Sequence, residues 1–250
     1  MNKPIYLLST VLLFCAFFGQ NARAQTAVSD SSSQQNALNN AVTLYSTSIG
    51  VQAPVYTGPE YYFYDPHIKG NAYYQDINGF TKGSIYFDGT LYNNLSMLYD
   101  INTDQLIVLF PSRVSKFIVI KERVKNFDFL GGHFVNISAD TLAANGDVKS
   151  GYYRQFYSGK SEVLGKYSKS MQTTTSNTNG VENYFSFSKD FYIRKNNVYH
   201  SVGSRGSVLD LFKDKKKEVR KFISANDLDF RANPEESFVK VATYYDHLSN

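Results

Sequence analysis

The chain has 250 residues, of which 42% are hydrophobic and 19% charged, so it carries enough apolar side chains for a folded core and wholesale disorder is excluded. Its formal net charge of +4 does not mark a nucleic-acid binder, and a single Cys excludes an internal disulfide framework and a Cys-rich metal site. The length fits one domain, or one large domain with a small appendage, and the aromatic content of 16%, all Tyr and Phe, favours strands over helices.

The first 24 residues are typical of a secretory signal peptide. After a short basic start, an almost wholly apolar run extends from Ile5 to Phe18, and Ala22 and Ala24 form a small-x-small cleavage pattern. The run is shorter than the roughly 20 residues that a membrane span needs, so we predict cleavage after Ala24 rather than retention as an anchor. A lipid anchor at Cys15 is disfavoured, because Phe14 stands where lipid attachment needs a small residue.

Export sets the expectations for the rest of the chain. The mature protein contains no Cys, its location is periplasmic or extracellular, and ATP, NAD and nucleic acid are disfavoured as ligands. Residues 25–45 are a polar leader rich in Ser, Gln and Asn, with a short helix predicted near 37–45. We expect residues 46–250 to form a single β-rich domain.

A dense aromatic stretch, which we call the aromatic loop, extends from Tyr61 to Tyr74. Gly58-Pro59 and Asp65-Pro66 interrupt the wider region from about Tyr56 to Tyr74, so this region is predicted as loop and short strand. Aromatic rings in loops can stack on sugar rings or fill a partner's pocket, whereas the simpler interpretation is that they pack a sheet that lacks Trp. The candidate ligand-binding residues are Tyr61, Tyr62, Tyr64, Tyr73 and Tyr74.

From residue 83 to residue 201 the pattern is that of successive β-hairpins. Short β-type runs are separated by tight turn signals such as Asp88-Gly89 and Asn196-Asn197. Strands joined in this way argue for an antiparallel sheet rather than for β-α-β units. The predicted strands are 83–87, 91–101, 105–110, 116–120, 124–130, 133–137, 151–157, 162–171, 184–187, 191–194 and 198–201.

Helical signals appear only after residue 203. Ser207 and Asp210 match the capping-box form, and Asn233-Pro234 supplies a cap and a first-turn Pro before an apolar stripe from Phe238 to Leu248. Apolar spacing predicts two short helices before that stripe. The predicted fold class is α+β, mainly antiparallel β: a curved sheet or open half-barrel covered by C-terminal helices within 204–249.

The sequence carries no convincing catalytic or metal-binding motif. None of the four His lies at metal-ligand spacing from another. Ser186 and Lys189 match S-x-x-K, but in a predicted strand residues three apart point to opposite faces. Gly159-Lys160-Ser161 resembles the end of a phosphate-binding loop, yet Arg154 stands where the first Gly is needed, so a turn is the better interpretation. We predict no cofactor, no metal and no catalytic residue.

A basic run lies in the predicted helical segment, and its members are Lys213, Lys215, Lys216, Lys217, Arg220 and Lys221. One interpretation is contact with anionic lipid head groups or an acidic glycan. The other, which the pattern favours, is the solvated face of a helix whose apolar side chains point inward.

Several short motifs lie in a fixed order along the chain: Asp65-Pro66-x-Ile68-Lys69-Gly70, then 83–89 (GSIYFDG), then Leu98-Tyr99-Asp100-Ile101, and finally 213–246 from KDKKK to YYD. In these motifs the chain resembles a family of uncharacterised exported proteins from Gram-negative bacteria. The resemblance covers most of the mature chain and implies a single exported domain. It implies no activity and no functional residue.

Together these features predict an exported, non-catalytic envelope protein with a structural or binding role, whose partner is an envelope protein, a glycan or a lipid. Nucleic acid is not expected as a partner, and the mature chain is not expected to be an integral membrane protein. The alternative is a hydrolase that acts on envelope polysaccharide or another polymer through paired carboxylates, with Asp100 as the carboxylate least explained by a turn. A lipid-sized cavity inside the sheet would indicate a carrier, and a filled core a scaffold.

Overall fold

The computed structural model describes residues 34–38, 40–41, 50–138, 146–176 and 180–248. The chain divides into two compact units, residues 1–40 and 41–250. The predicted signal peptide lies outside the described residues, as does most of the polar leader. Residues 34–38 and 40–41 are helical, and the remainder of the helix predicted near 37–45 lies outside the described residues.

The second unit is built on a ten-stranded antiparallel sheet in the order β10-β9-β8-β7-β6-β5-β1-β2-β3-β4. The sheet is open, with β10 and β4 at its edges. Between described strands the chain adds the next strand beside the last, except that β5 pairs with β1. The strands are β1 Thr81–Phe87, β2 Thr90–Asp100, β3 Gln105–Leu109, β4 Lys116–Ile118, β5 Val124–Phe129, β6 Gly132–Ile137, β7 Gly151–Ser158, β8 Glu162–Ser176, β9 Gly180–Lys195 and β10 Val198–Val202.

Two-residue turns with positive φ at both positions fix the register of several hairpins. Asp88 and Gly89 have φ of 48° and 77°, and Asn196 and Asn197 have φ of 52° and 63°. These residue types tolerate the left-handed region at low cost, which matches the turn signals in the sequence. One turn differs from its prediction. The predicted strands 124–130 and 133–137 leave Gly131-Gly132 as the turn, whereas Leu130-Gly131, with φ of 47° and 72°, connects β5 and β6 in the structure.

The longest hairpin extends further than its sequence pattern indicated. The predicted strands 184–187 and 191–194 are parts of one strand, β9, which pairs with β8 along almost its whole length. A polar stretch of Ser and Thr in β8 continues this pairing to Ser176, because backbone hydrogen bonds of a hairpin do not require apolar side chains.

Helices α1 (Arg205–Leu211), α2 (Lys216–Ala225) and α3 (Pro234–Leu248) follow the sheet. The cap of α1 is Ser204 rather than Ser207: the Ser204 hydroxyl accepts from the Ser207 backbone amide, and Ser207 occupies the third position of the box. Apolar side chains of the helices, such as Val208, Val219 and Phe238, pack with Val163 and Ile193 of the sheet. The predicted α+β class, an open antiparallel sheet with C-terminal helices, is confirmed. Among the described residues, no helix is both long and apolar enough to span a bilayer.

Aromatic rings fill the concave side of the sheet. Tyr74, Tyr99, Phe127, Phe134 and Tyr152 are all less than 2% exposed. Phe127 and Phe134 stack at 4.7 Å between centroids, and Tyr74 meets Phe134 edge-to-face at 5.2 Å. Such contacts stabilise the core beyond simple burial of area, so much of the chain's aromatic content serves its own packing.

A charged cluster borders this core at the turn between β2 and β3. The Asp104 carboxylate lies 2.8 Å from the ammonium groups of both Lys121 and Lys166 and accepts from the Tyr99 hydroxyl at 2.7 Å. Burial opposes ionisation of Asp104, but the two ammonium groups outweigh it and hold the pKa of the carboxyl below its ordinary value. Burial lowers the pKa of Lys166, against the attraction of Asp104.

Replacing Asp104 with Asn would leave Lys121 and Lys166 close together without their counterion. We expect D104N to lower the free energy of unfolding by about 3 kcal/mol at pH 7, as when a buried ion pair loses one partner. The carboxyl pKa is depressed in the folded state, so its stabilisation is present above the unfolded value of 3.8 and is lost as the pH falls through the folded value. Wild type and D104N should therefore converge in acid.

Urea unfolding at neutral and acid pH measures this difference. The exposed Asp227, whose positive φ of 48° Asn also tolerates, provides the control D227N, which should behave as wild type. A D104N protein as stable as wild type at pH 7 would contradict the role of Asp104.

Candidate functional site

The aromatic loop is joined at its start to the edge strand β4. The Ile118 amide donates to the Pro59 carbonyl and the Tyr61 amide donates to the Lys116 carbonyl, both at 2.8 Å. These bonds satisfy backbone groups on an edge that would otherwise be open to another chain. The loop therefore begins as a short extension of the sheet.

Further along, the loop joins the other side of the molecule at β9. Strand β10 pairs only with residues 191–195 of β9, so the earlier part of β9 has no strand on that side. Here the Lys69 amide donates to the Asn183 carbonyl at 2.9 Å. The Phe185 amide donates back to the Lys69 carbonyl at 3.1 Å, and the Lys69 ammonium lies 2.8 Å from the Glu182 carboxylate. The aromatic loop thus extends from β4 to the β8–β9 hairpin.

Asp100, at the end of β2, binds two tyrosines of the aromatic loop. Its carboxylate is fully buried and accepts from the hydroxyls of Tyr61 at 3.0 Å and Tyr64 at 2.8 Å. The backbone amides of Asn102 and Thr103 donate to its other oxygen at 2.8 and 3.1 Å. Four donors surround one carboxylate, as a buried charge requires.

Lys169, on β8, holds the far end of the loop. Its side chain is 5% exposed and its ammonium donates to the carbonyls of Asn71 at 2.7 Å and Tyr73 at 3.1 Å. The Asp76 carboxylate lies 2.5 Å away and supplies the counter-charge. The ammonium thereby replaces its water shell with backbone and carboxylate oxygens.

The loop tyrosines remain protonated donors under ordinary conditions. Burial raises the pKa of Tyr64 to about 12; the hydrogen bond from Asn102 lowers it slightly, and the charge of Asp100 raises it. Burial, together with the hydrogen bond to Tyr73 and the charge of Asp100, raises the pKa of Tyr61 further. Because these hydroxyls stay protonated, they donate to Asp100 across the whole physiological range.

A cleft of about 450 Å³ is lined mainly by the aromatic loop, with Phe185 of β9 beside it, and we call it the aromatic cleft. Its size falls within the range of small-molecule sites, about 300–1,000 Å³. Tyr64 meets Phe185 edge-to-face at 5.2 Å, and Phe63 meets Tyr73 at 6.5 Å. The lining residues include the aromatic side chains Phe63, Tyr64, Tyr73 and Phe185 and the polar side chains Asp65, Asn71 and Asn78.

The five predicted tyrosines do not share one environment. Tyr61, Tyr73 and Tyr74 are at most 5% exposed, whereas Tyr62 is 77% exposed and Tyr64 is half-buried. Tyr64 and Tyr73 line the cleft, and Tyr74 belongs to the core. For all five, ligand binding stays a prediction.

Sequence reasoning missed several lining residues, above all Phe63 and Phe185. The sequence carries a signal for Phe185, because Phe185 and Phe187 alternate with serines in β9. In the structure Phe187 is 56% exposed. An apolar pair in an otherwise polar stretch of strand indicates a surface with a role beyond the core.

A second polar cluster joins Ser84, Asp128 and His133 beside a larger and more open hollow of about 660 Å³ at the β5–β6 turn. The Ser84 hydroxyl donates to Asp128 at 3.2 Å, and His133 Nδ1 lies 2.7 Å from the same carboxylate. In a hydrolytic triad the His stands between Ser and Asp so that it can take the Ser proton. Here Asp128 stands between them, so the arrangement does not activate the hydroxyl.

The motif-like sequences have structural surroundings. Ser186 and Lys189 both lie in β9, and Lys189 pairs with Glu235 of α3. The Gly159–Ser161 stretch connects β7 and β8, and the Ser161 amide donates to Asp246. Within the described part of the chain, no group of three or more His, Cys, Asp or Glu could hold a metal ion.

No family model, no curated protein and no solved structure matches this chain. The interpretation of the aromatic cleft therefore depends on its geometry. The cleft combines aromatic rings with amide and carboxylate groups at one fixed place, and this combination can hold a small ligand that has both apolar and hydroxyl surfaces.

Asp100 should stabilise the fold more than an exposed Asp does. In D100N one oxygen is replaced by an amide group that cannot accept from its former donors, so we expect the free energy of unfolding to fall by about 2 kcal/mol. Asp88 forms a more exposed ion pair with Arg123, and D88N should cost less than about 1 kcal/mol. Chemical denaturation of both variants checks this, and equal losses would contradict the assignment.

Tyr64 gives the protein a measurable alkaline dependence. Its folded pKa of about 12 exceeds the ordinary value of 10.0, so its stabilisation is complete below pH 10 and is lost as the pH rises towards 12. Unfolding free energies measured across that interval should fall less steeply for Tyr64→Phe than for wild type. The exposed Tyr62→Phe should follow wild type, and a Y64F slope equal to the wild-type slope would count against the raised pKa.

Proposed function

We propose that this chain is an exported, non-catalytic envelope protein that binds carbohydrate in the aromatic cleft. The observation that carries the proposal is that Phe63, Tyr64, Tyr73 and Phe185 line the same cleft as the polar side chains Asp65 and Asn78. A sugar presents C–H surfaces, which pack on aromatic rings, and hydroxyl groups, which pair with amides and carboxylates. A site for it needs both kinds of side chain.

The attachment of the loop supports a binding role. The loop is hydrogen-bonded to β4, to β9 and to Lys169 of β8, and Asp100 holds two of its tyrosines. A loop that is already ordered loses little conformational entropy when a ligand binds. Exposed aromatic side chains such as Phe63, 52% exposed, gain burial only when a ligand covers them.

The same geometry supports binding rather than hydrolysis. Glycoside hydrolysis requires two carboxyl groups that face each other across the scissile bond. Asp65 is the one carboxylate among the described residues that line the cleft, and it accepts from the backbone amide of His67 at 2.9 Å. Asp100, the carboxylate proposed from the sequence, already has four donors.

A carbohydrate fits the site better than a lipid does. A lipid carrier needs an apolar hollow, and the concave side of this sheet is occupied by rings in contact with one another, including Tyr99, Phe127 and Phe134. Export is supported by the signal-peptide pattern of residues 1–24 and by the resemblance to exported proteins of Gram-negative bacteria. A periplasmic or extracellular location would place the cleft among envelope and surface polysaccharides.

A glycan array followed by titration calorimetry on the best ligand tests this function. We expect Phe63→Ala to weaken binding about fivefold, because stacking on one ring is worth on the order of 1 kcal/mol. Asn78→Ala, which removes an exposed amide at the rim, should weaken binding by a similar factor. Neither side chain belongs to the buried core, so both variants should fold.

Tyr62 provides the matched control. It neighbours Phe63 in sequence and is 77% exposed, but it does not line the cleft, so Tyr62→Ala should bind as wild type does. The proposal fails if no glycan binds, or if F63A and Y62A weaken binding equally. Release of reducing ends from the bound glycan would instead establish the hydrolase.

A further inference from the structure

The basic run of the sequence lies on the 3-10 turn Lys213–Lys215 and on α2, and we call it the basic surface. It comprises Lys213, Lys215, Lys216, Lys217, Arg220 and Lys221. Within the nine residues 213–221 the only acids are Asp214 and Glu218, and Val219 is the one uncharged residue, so the net charge of +4 equals the formal net charge of the entire chain. The remaining 20 cations and 20 acids of the chain balance each other.

The neighbouring acids leave most of this charge unbalanced. Asp214 is engaged by the ammonium of Lys195 at 2.5 Å and by the hydroxyl of Tyr245 at 2.9 Å, both outside the basic surface. Asp210 pairs with Lys216 at 2.8 Å. In the part of the chain that the structure describes, Lys217, Arg220 and Lys221 are exposed and have no carboxylate within ion-pair distance.

The placement of these charges weakens the helix that carries them. Helix α2 begins at Lys216, has no side-chain cap, and places Lys216 and Lys217 at the positive end of its dipole, with Glu218 as the only first-turn acid. Lys217 and Lys221 are four residues apart and repel each other on the same face. Packing does not require these charges, because Val219 and Ile223 provide the buried side of α2.

We infer that the basic surface docks α2 against the surface of an anionic phospholipid bilayer. Its charges extend over nine residues, on the order of 13 Å of helix, which suits a plane of many head groups better than a single small anion. Phe222 and Tyr244 lie beside them, half-buried and stacked at 4.1 Å, where aromatic side chains favour the boundary between head groups and acyl chains. Anionic head groups would also screen the repulsion between the lysines of α2.

This docking is independent of the aromatic cleft. No described residue of the basic surface lines the cleft or bonds to the aromatic loop. Each Lys or Arg near an anionic membrane contributes on the order of a fivefold gain in affinity, so three charges together change binding about 100-fold. The attraction falls off within a Debye length, about 10 Å at 0.1 M salt and 3 Å at 1 M.

Sedimentation with vesicles tests the inference on the full mature chain. One set of vesicles contains about 30 mol% phosphatidylglycerol in phosphatidylcholine, and the other contains phosphatidylcholine alone. We expect binding to the anionic vesicles only, lost when salt is raised from about 0.1 M to about 1 M. The triple variant K217Q/R220Q/K221Q should bind about 100-fold more weakly. Its glycan binding should stay at the wild-type value, and its melting temperature should not fall, because the substitutions remove repulsion within α2.

The matched control removes three exposed cations elsewhere, as R113Q/K125Q/K149Q, and changes the net charge equally. It should retain most of the vesicle binding, because its charges do not belong to the basic surface. Equal losses in the two triple variants would overturn the inference, as would equal binding to both vesicle types. Tighter binding to heparin or duplex DNA than to anionic vesicles would also overturn it, in favour of a soluble polyanion.

Discussion

Two buried charges determine where the aromatic loop lies, and the candidate site depends on that position. Asp100 belongs to β2 and Lys169 to β8, which are separated by several strands in the sheet order. The curvature of the sheet brings them to the same loop, and the Lys169 amide donates directly to the Ile101 carbonyl at 3.0 Å. Neither charge could be buried without partners. The loop supplies partners to both charges, and the charges in turn fix its conformation.

The high aromatic content has two separate uses in this fold. Rings such as Phe127 and Phe134 fill the concave side of the sheet and serve stability. Rings such as Phe63 and Phe185 stand at the cleft, where they remain partly exposed. Because the chain has no Trp and its predicted mature form has no Cys, contacts between Tyr and Phe replace both large indole rings and disulfides as a source of stability.

Most of the sheet could be predicted from the sequence because hairpins are local. A pair such as Asp88-Gly89 predicts a tight turn from two residues alone, and such a turn brings the flanking strands together in antiparallel register. The helix at Pro234 is local for the same reason, since a cap and a first-turn Pro define its start. The cap at Ser204 was missed because Ser207, not Ser204, is followed three residues later by an acid. In the structure Ser207 itself takes the third position of the box, and the Ser204 hydroxyl accepts.

The candidate site could be predicted only in part, because its defining contacts are distant in sequence. The dense aromatic sequence correctly indicated the loop that lines the cleft. Strand and helix periodicity predict which side chains are buried, but neither applies to an irregular loop. The buried Tyr61 and the exposed Tyr62 therefore cannot be told apart from the sequence. Phe185 joins Tyr64 only because β9 returns past the loop after β8. The sequence shows no partner for Asp100, because two of its four donors, Tyr61 and Tyr64, are more than 30 residues away and the other two are backbone amides.

The cleft and the basic surface are held by different parts of the fold, and this separation has a physical consequence. The aromatic loop is held by Asp100 and Lys169 of the sheet, whereas α2 is held by Val219 and Ile223 within the helical layer. Among the described residues the two surfaces share no hydrogen-bond partner, so their free energies should add rather than couple. A ligand in the cleft would then leave membrane docking unchanged, and a docked protein would present its cleft with the affinity that it has in solution.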